Sequence, residues 1–182
     1  MNRRRKGGTI RPELVKRIII YGALLVLLTT AQCSFFANLR ICPATPDLLL
    51  GAVVAIMLLD SKRSATVFAL AAGVLADALG GSGLSLSPLF YILLAALLAA
   101  ISDKFLPAFF SFAVLLIPAI ALKAVFGMLS VYLIYSSLPI VYVLKNILLP
   151  EAAVTFILCL GVYPAVKLCS IPLDLRNKFS FK

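Results

Sequence analysis

The arrangement of the chain is decided by residues Pro46–Tyr91, which read PDLLLGAVVAIMLLDSKRSATVFALAAGVLADALGGSGLSLSPLFY. This stretch predicts two apolar helices joined by a charged corner at Asp60–Arg63, followed by a glycine-rich turn and a third apolar helix. Asp47 lies fifteen residues before Lys62, and Asp77 lies fifteen residues after it. If both arms are helices packed antiparallel, the two carboxylates reach one height, roughly 22 Å above the corner. That height is near the far side of a bilayer core about 30 Å thick.

The composition indicates an integral membrane protein. Of the 182 residues, 63% are hydrophobic and only 13% are charged, whereas about a quarter of the residues are charged in an ordinary soluble domain. The mean hydropathy of +1.10 is too high for one water-soluble core. The net charge of +10 does not indicate nucleic-acid binding, because the basic residues lie beside apolar segments, as orientation signals do.

The apolar segments predict an all-α fold, a compact bundle of six transmembrane helices with both chain termini in the cytoplasm. The transmembrane domain is expected at residues 18–169, between basic cytoplasmic tails at residues 1–17 and 170–182. The expected spans are Ile18–Leu39, Pro46–Leu59, Ser64–Leu79, Pro88–Ile101, Phe105–Tyr135 and Pro150–Cys169.

The distribution of Lys and Arg sets the predicted orientation. The inside segments hold fourteen basic residues, seven of them in the N-terminal tail, whereas the outside loops hold Arg40 and Lys145. This bias follows the positive-inside rule. The basic tails are expected to lie against anionic lipid, which contributes about 1 kcal/mol for each Lys or Arg near the surface. The apolar run after the N-terminal tail imitates a signal peptide, but Gln32 before Cys33 does not suit a cleavage site, so we expect an uncleaved first helix.

Prolines mark the starts of the three helices that are expected to run inward. These helices begin at Pro46, Pro88 and Pro150, where the missing proline N–H has no helical partner in any case. Thr45 and Ser87 stand directly before two of these prolines and are expected to cap the helices.

Four charged residues lie in apolar surroundings near the predicted outer surface: Asp47, Asp77, Lys123 and Glu151. Asp47 and Glu151 follow prolines, where the positive end of the helix dipole by itself favours an acid by about 0.3–1 kcal/mol. Asp77 lies near the end of an outward-running helix, so it is either solvated at the outer interface or paired inside the bundle. We predict that Lys123 pairs with Asp77 or with Asp47, and that Glu151 lies nearby.

The third helix is rich in small residues, which allow helices to approach closely in lipid. Its two rows of small side chains contain Ala69, Gly73, Asp77 and Gly81, and Ala72, Ala76 and Gly80. We therefore expect this helix to be central, with Gly73 at a close helix contact. Gly80 and Gly81 are expected to permit a tight turn.

The sequence excludes several kinds of chemistry. It contains no His, so His-based metal sites and His-based acid–base catalysis are ruled out. Its four cysteines have no CxxC spacing and are interpreted as apolar thiols, with a Cys33–Cys42 disulfide left open. The glycine-rich turn has no following Lys-Ser or Lys-Thr, so it is not a phosphate loop. We expect no enzymatic activity, no cofactor and no metal.

The Pro46–Tyr91 stretch resembles the rod-shape-determining protein MreD family over about 46 residues. The resemblance is carried by Pro46–Leu50, the basic corner, Ala72–Gly81 and Leu89–Tyr91. After the glycines this chain has Ser82-Gly83-Leu84-Ser85, where the family often has Pro-Leu-Gly. The positions that the resemblance singles out are Asp47, Gly73, Asp77, Gly80 and Gly81.

The resemblance implies a multi-pass protein of the bacterial inner membrane that has no catalytic role. Such a protein joins an MreC-like membrane protein, the actin-like MreB and wall-synthesis enzymes in the complex that guides lateral peptidoglycan synthesis. The implied fold is similar to that of the substrate-binding subunits of energy-coupling-factor vitamin transporters.

Two other functions are compatible with parts of the sequence pattern. In a vitamin-type uptake subunit, Asp47, Asp77, Lys123 and Glu151 would form a ligand site at the outer mouth. The first predicted helix, Ile18–Leu39, lacks the Ala-xxx-Ala docking motif usual in such subunits. A channel or proton relay ranks last, because the acids cluster at one end of the bundle instead of following its depth.

Overall fold

This computed structural model describes residues 12–36, 46–80, 86–134 and 144–179. The regular secondary structure within these ranges is helical. Within these ranges there are six α-helices, as the sequence predicts: α1 (Pro12–Thr30), α2 (Leu48–Leu59), α3 (Lys62–Gly80), α4 (Ser87–Ile101), α5 (Phe109–Ile134) and α6 (Leu149–Phe179). A π-helical turn, Ala31–Phe36, continues α1, and a 3-10 turn, Ser102–Lys104, follows α4. A second π-helical turn, Leu144–Leu148, leads into α6.

The centre of the bundle is α2. Residues Leu48 to Met57 are all buried, and α2 contacts each of the other five α-helices. Because every face of α2 is covered, its sequence is apolar around the whole circumference. The expectation that the third helix is central is wrong, because α3 has an exposed face that carries Val67, Val74 and Leu79.

Two glycines allow neighbouring helices to approach closely. A Cβ atom on Gly73 would lie 2.6 Å from the Pro88 Cα and 3.1 Å from the Ser87 carbonyl oxygen, so Gly73 seats α3 against the start of α4. This is the packing role predicted for Gly73. A Cβ atom on Gly51 would lie 2.6 Å from the Cys159 Sγ, so Gly51 seats α2 against α6. This role of Gly51 was not predicted from the sequence.

Among the residues that the structure describes, four helical segments are long and apolar enough to cross a membrane: Val15–Ser34, Ser87–Lys104, Phe109–Ser130 and Leu149–Ser170. Their outer surfaces expose large apolar side chains, among them Ile18, Phe110, Ile157 and Leu168. Exposed apolar side chains of this size are expected on helices that face lipid. These segments support the membrane class that the composition indicates.

The other two predicted spans differ from these four. The twelve residues of α2 extend about 18 Å, which is less than the thickness of a bilayer core. The helix α3 begins with Lys62 and Arg63 and contains Asp77, so its uncharged run is short. Because the other helices enclose α2, its length does not have to equal the thickness of the bilayer core. The crossing of a membrane by all six helices therefore remains a proposal.

Several helix ends differ from the predicted ones. The first helix begins at Pro12 instead of Ile18, and the last continues to Phe179, into the predicted basic tail. The predicted cap at Ser87 is wrong, because Ser87 is the first residue of α4 and the capping position belongs to Leu86. Leu86 makes no side-chain capping hydrogen bond; with Pro88 in its first turn, α4 has one fewer N–H group that needs a cap.

Other predictions fall on the connecting segments. Gly80 is the last residue of α3 and is helical, so the expectation that it forms part of the turn is wrong. Gly81 and Thr45 lie outside the described residues, and so does the turn predicted at Gly81. Cys42 also lies outside the described residues, so the predicted Cys33–Cys42 disulfide falls outside them too.

Candidate functional site

Asp47 anchors the start of α2. Its Oδ1 atom accepts a hydrogen bond from the Leu50 backbone N–H at 3.2 Å, so Asp47 is the N-cap of the helix. The sequence placed Asp47 inside the first turn, whereas the structure places it at the capping position directly after the buried Pro46. At this position the carboxylate both satisfies an otherwise unpaired N–H and lies at the positive end of the helix dipole.

Tyr91 joins α4 to the same carboxylate. Its hydroxyl oxygen lies 2.8 Å from the Asp47 Oδ1 and 2.9 Å from the Asp47 Oδ2. The hydroxyl carries a single proton, so it donates to the two carboxylate oxygens alternately or as a shared bond. Tyr91 is only 2% exposed, and this hydrogen bond satisfies a polar group that burial would otherwise leave unpaired.

The backbone at the start of α2 is also held by neighbouring helices. The Asp47 N–H donates to the Thr155 Oγ1 at 3.3 Å, and the Asp47 carbonyl oxygen accepts from the Cys159 Sγ at 3.4 Å. The Leu48 N–H donates to the Gln32 Oε1 at 3.3 Å. The first turn of α2 is therefore tied to α6 and to the turn after α1 as well as to α4.

Lys123 lies between two carboxylates. Its Nζ atom is 2.7 Å from the Glu151 Oε1 and 3.3 Å from the Asp47 Oδ2. The Lys123 side chain is 25% exposed, and those of Asp47 and Glu151 are 9% and 18% exposed. Glu151 lies in the first turn of α6, as predicted. One ammonium group therefore joins α5 to the starts of α2 and α6.

The structure brings together three of the four charged residues predicted for this site. Of the two pairings that the sequence left open for Lys123, the structure contains the one with Asp47, and Glu151 is the second partner. Asp77 is partly buried near the end of α3. The preceding residue, Ala76, lines the cavity that adjoins the charged groups.

A cavity of about 440 Å³ opens beside Lys123. The charged side chains among its described lining residues are those of Asp47, Lys123 and Glu151. Phe90 and Phe126 form part of its apolar wall, with their ring centroids 5.5 Å apart. The remaining polar lining comes from Gln32, Ser87, Tyr91, Ser130 and Thr155. This combination of an apolar wall with a few polar and charged groups is typical of small-molecule sites.

A second polar cluster lies at the opposite end of the bundle. Arg17 forms an ion pair with Asp60, and the Tyr21 hydroxyl donates to the other Asp60 oxygen at 2.9 Å. The Lys62 Nζ lies 2.6 Å from the Asp103 Oδ2. These contacts tie α1 to the corner between α2 and α3, and α3 to the turn after α4. Arg17, Asp60, Lys62 and Asp103 belong to segments predicted to be inside, and Tyr21 lies near the inner end of the first predicted span. The residues of the cavity cluster were predicted near the outer surface.

Four side chains that hydrogen-bond to Asp47 or Leu48 were not predicted for the site: those of Tyr91, Thr155, Gln32 and Cys159. Thr155 lies four residues after Glu151 and therefore on the same face of α6, so a helical-periodicity argument could have found it. Tyr91 and Gln32 are on other helices, and their sequence positions carry no signal of a contact with the start of α2.

The groups of the site are suited to recognition of a polar or charged molecule. Its groups are two carboxylates, one ammonium, a phenol and several hydroxyls, which bind polar or charged molecules by ion pairs and hydrogen bonds. In the part of the chain that the structure describes, no group of three or more Cys, Asp or Glu side chains is placed to hold a metal ion.

No protein-family model matches this chain, and no curated protein or solved structure matches it either. The MreD resemblance therefore rests on the residues of Pro46–Tyr91 alone. Assignment of a function depends on these residues and on the geometry around them.

Proposed function

We propose that this chain is a non-catalytic scaffold and regulator of the bacterial cell-shape complex that directs lateral peptidoglycan synthesis. In this proposal it is a multi-pass protein of the inner membrane that binds an MreC-like membrane protein and links to MreB-like filaments and wall-synthesis enzymes. Both termini are cytoplasmic, so the cavity beside Lys123 opens toward the outside.

The proposal is supported by the positions of two residues that the MreD resemblance singles out. Asp47 caps α2 and contacts Tyr91 and Lys123. Gly73 permits the close contact between α3 and α4. These two residues hold neighbouring helices together, which is what motif residues in a membrane scaffold are expected to do.

The accessible surface also suits a scaffold. The described residues form a helical bundle whose exterior is largely apolar, for example at Val67, Val74 and Ile117. Partner contacts are therefore expected on the lipid-exposed helix surfaces or on the short outer connections. The basic tails are expected to contact anionic lipid on the cytoplasmic side.

Depletion of the protein in its rod-shaped host, combined with affinity purification from membranes, tests the scaffold. We expect depleted cells to become round and the tagged protein to co-purify with an MreC-like partner. A Gly161→Ala chain should restore the shape, because a Cβ atom at Gly161 meets nothing within 4 Å. Rod-shaped cells after full depletion, together with purification that yields no MreC-like protein, would count against the scaffold.

The alternative is a substrate-binding subunit for uptake of a vitamin-type molecule. The cavity of about 440 Å³ favours it, because its volume lies within the range of about 300–1,000 Å³ typical of small-molecule sites. A thermal-shift screen against vitamins separates the two functions. A large and specific rise in the unfolding temperature supports uptake, and co-purification of an MreC-like partner supports the scaffold.

A further inference from the structure

We propose that the cavity beside Lys123 binds a small organic cation, namely a primary amine or quaternary ammonium compound with an apolar body. This ligand class follows from the charge of the cavity and from its apolar wall. It does not depend on the scaffold role, and under the uptake alternative it names the class of substrate.

The charge of the cavity is the first argument. Its described lining residues contribute two negative charges, from Asp47 and Glu151, and one positive charge, from Lys123. These three groups are mostly shielded from solvent, with side-chain exposures between 9% and 25%. The N-terminal ends of α2 and α6 stabilise part of this negative charge, and a bound cation would offset the remainder. An anionic ligand would meet two carboxylates for a single ammonium.

The excess charge is centred on Glu151. The Asp47 carboxylate accepts hydrogen bonds from Tyr91 and from the Leu50 N–H in addition to its contact with Lys123. Among the described residues, the Glu151 side chain forms its ion pair with Lys123. A ligand ammonium placed beside Glu151 would share this carboxylate with Lys123.

The wall of the cavity is the second argument. Phe90 and Phe126 line the cavity together, and a cation within about 6 Å of an aromatic ring face is attracted to it. The Ser130 hydroxyl donates its proton to the Phe126 carbonyl oxygen at 2.9 Å. Its oxygen is therefore available to a ligand only as a hydrogen-bond acceptor. Ile120 and Leu148 supply apolar contacts for the body of the ligand.

The size of the cavity favours an organic ligand over a simple metal cation. A volume of about 440 Å³ is far larger than one hydrated ion needs, and it lies within the range of small-molecule sites, about 300–1,000 Å³. An organic cation fills the apolar space and places its charge at Glu151.

The test uses three probes of similar shape with the full chain in lipid nanodiscs. Benzylammonium is the cation, benzyl alcohol the neutral analogue and benzoate the anion, and choline serves as a second, quaternary cation. We expect benzylammonium or choline at millimolar concentration to raise the unfolding temperature saturably, and the neutral and anionic analogues to leave it unchanged. Binding of benzoate, or the absence of a shift with both cations, would overturn the proposal.

Two variants locate the binding within the cavity. Glu151→Gln keeps the contact between Lys123 and Asp47 and is expected to weaken the binding of the cations at least about tenfold. The matched control, Asp103→Asn, changes an acid at the opposite end of the bundle and should bind the cations normally. If Glu151→Gln does not fold, Phe126→Leu replaces it, and weaker binding of benzylammonium is expected from the loss of the ring.

Equal affinities in all variants would also refute the cavity as the binding site. The binding test is independent of the scaffold proposal, because co-purification with an MreC-like partner is measured without probes. If the unaltered chain co-purifies with the partner but binds neither cation, this inference alone is refuted.

Discussion

The Tyr91 hydroxyl lies within 2.9 Å of both carboxylate oxygens of Asp47, although 44 positions separate the two residues in the chain. The same carboxylate caps α2 and contacts the Lys123 ammonium. A single buried acid thereby connects α2, α4 and α5. Because its donors come from three helices, the loss of any one donor should lower the stability of the bundle.

Tyr91→Phe is expected to lower the free energy of unfolding by about 1–3 kcal/mol, because it removes a donor from a buried carboxylate and leaves the ring packing intact. Reversible unfolding in mixed detergent micelles measures this difference. The matched control is Tyr132→Phe on α5, whose side chain is 63% exposed. Similar losses of stability in the two variants would contradict a specific role for the hydrogen bond.

Lys123→Glu should destabilise the protein, because it places three carboxylates together at the cavity. We expect a loss of up to about 3 kcal/mol, given that the site is partly open to solvent. Adding Glu151→Lys re-forms a contact between opposite charges and should restore part of the loss. The recovery is incomplete, since a Lys in the first turn of α6 opposes the helix dipole by about 0.3–1 kcal/mol.

The unfolding free energies of the single and double variants check this pairing. Asp77→Lys combined with Lys123→Glu examines the other pairing that the sequence left open, and we expect a smaller recovery from it. Recovery confined to the Asp77 combination would show that Asp77, and not Glu151, is the partner of Lys123.

Gly73→Ala should destabilise the contact between α3 and α4 by about 1–3 kcal/mol, because the added methyl group would lie against the backbone of Pro88. Gly161→Ala on α6 is the matched control, since its methyl group meets nothing within 4 Å. Thermal unfolding of both variants provides the comparison. A control that is neutral or slightly stabilised is expected, because Ala favours a helix over Gly by about 0.5–1 kcal/mol. A Gly73→Ala variant as stable as the control would show that α3 and α4 can move apart to admit the methyl group with no loss of stability.

The two ion pairs at the other end of the bundle should differ in strength. The Asp60 side chain is 12% exposed and contacts both Arg17 and Tyr21, whereas the Asp103 side chain is 72% exposed. We expect Asp60→Asn to lower the free energy of unfolding by about 1–3 kcal/mol, and Asp103→Asn to change it by less than about 1 kcal/mol. Denaturation at low salt measures both changes in the free energy of unfolding. A larger change for Asp103→Asn than for Asp60→Asn would contradict the prediction that the more buried ion pair contributes more.

The proposed orientation places Cys33 on the outside and the Asp60–Arg63 corner on the inside. In a chain whose other cysteines are replaced by Ala, the exposed Cys33 should react with an impermeant thiol reagent in intact spheroplasts. The matched variant moves the single thiol to the exposed Ser61, and this thiol should react only after permeabilisation. The reverse pattern would invert the topology and place the cavity on the cytoplasmic side.

The helical, apolar character of this protein was readable from its sequence because composition and helix length are local properties. The six helices and the first-turn position of Glu151 follow from proline positions and apolar runs. Gly73 was identified from the regular spacing of small residues, which shows where a helix is able to approach another closely.

Tertiary structure alone decided which helix is central and which acid meets Lys123. A row of small residues on α3 shows a capacity for close packing, but the number of neighbours around α2 depends on how all the helices assemble. The choice of Asp47 depends on the rotation of each helix about its axis, which equal heights in the membrane do not specify. Likewise, the contacts of Asp47 with Tyr91 and Thr155 join positions 44 and 108 residues apart, and only the folded chain brings such positions together.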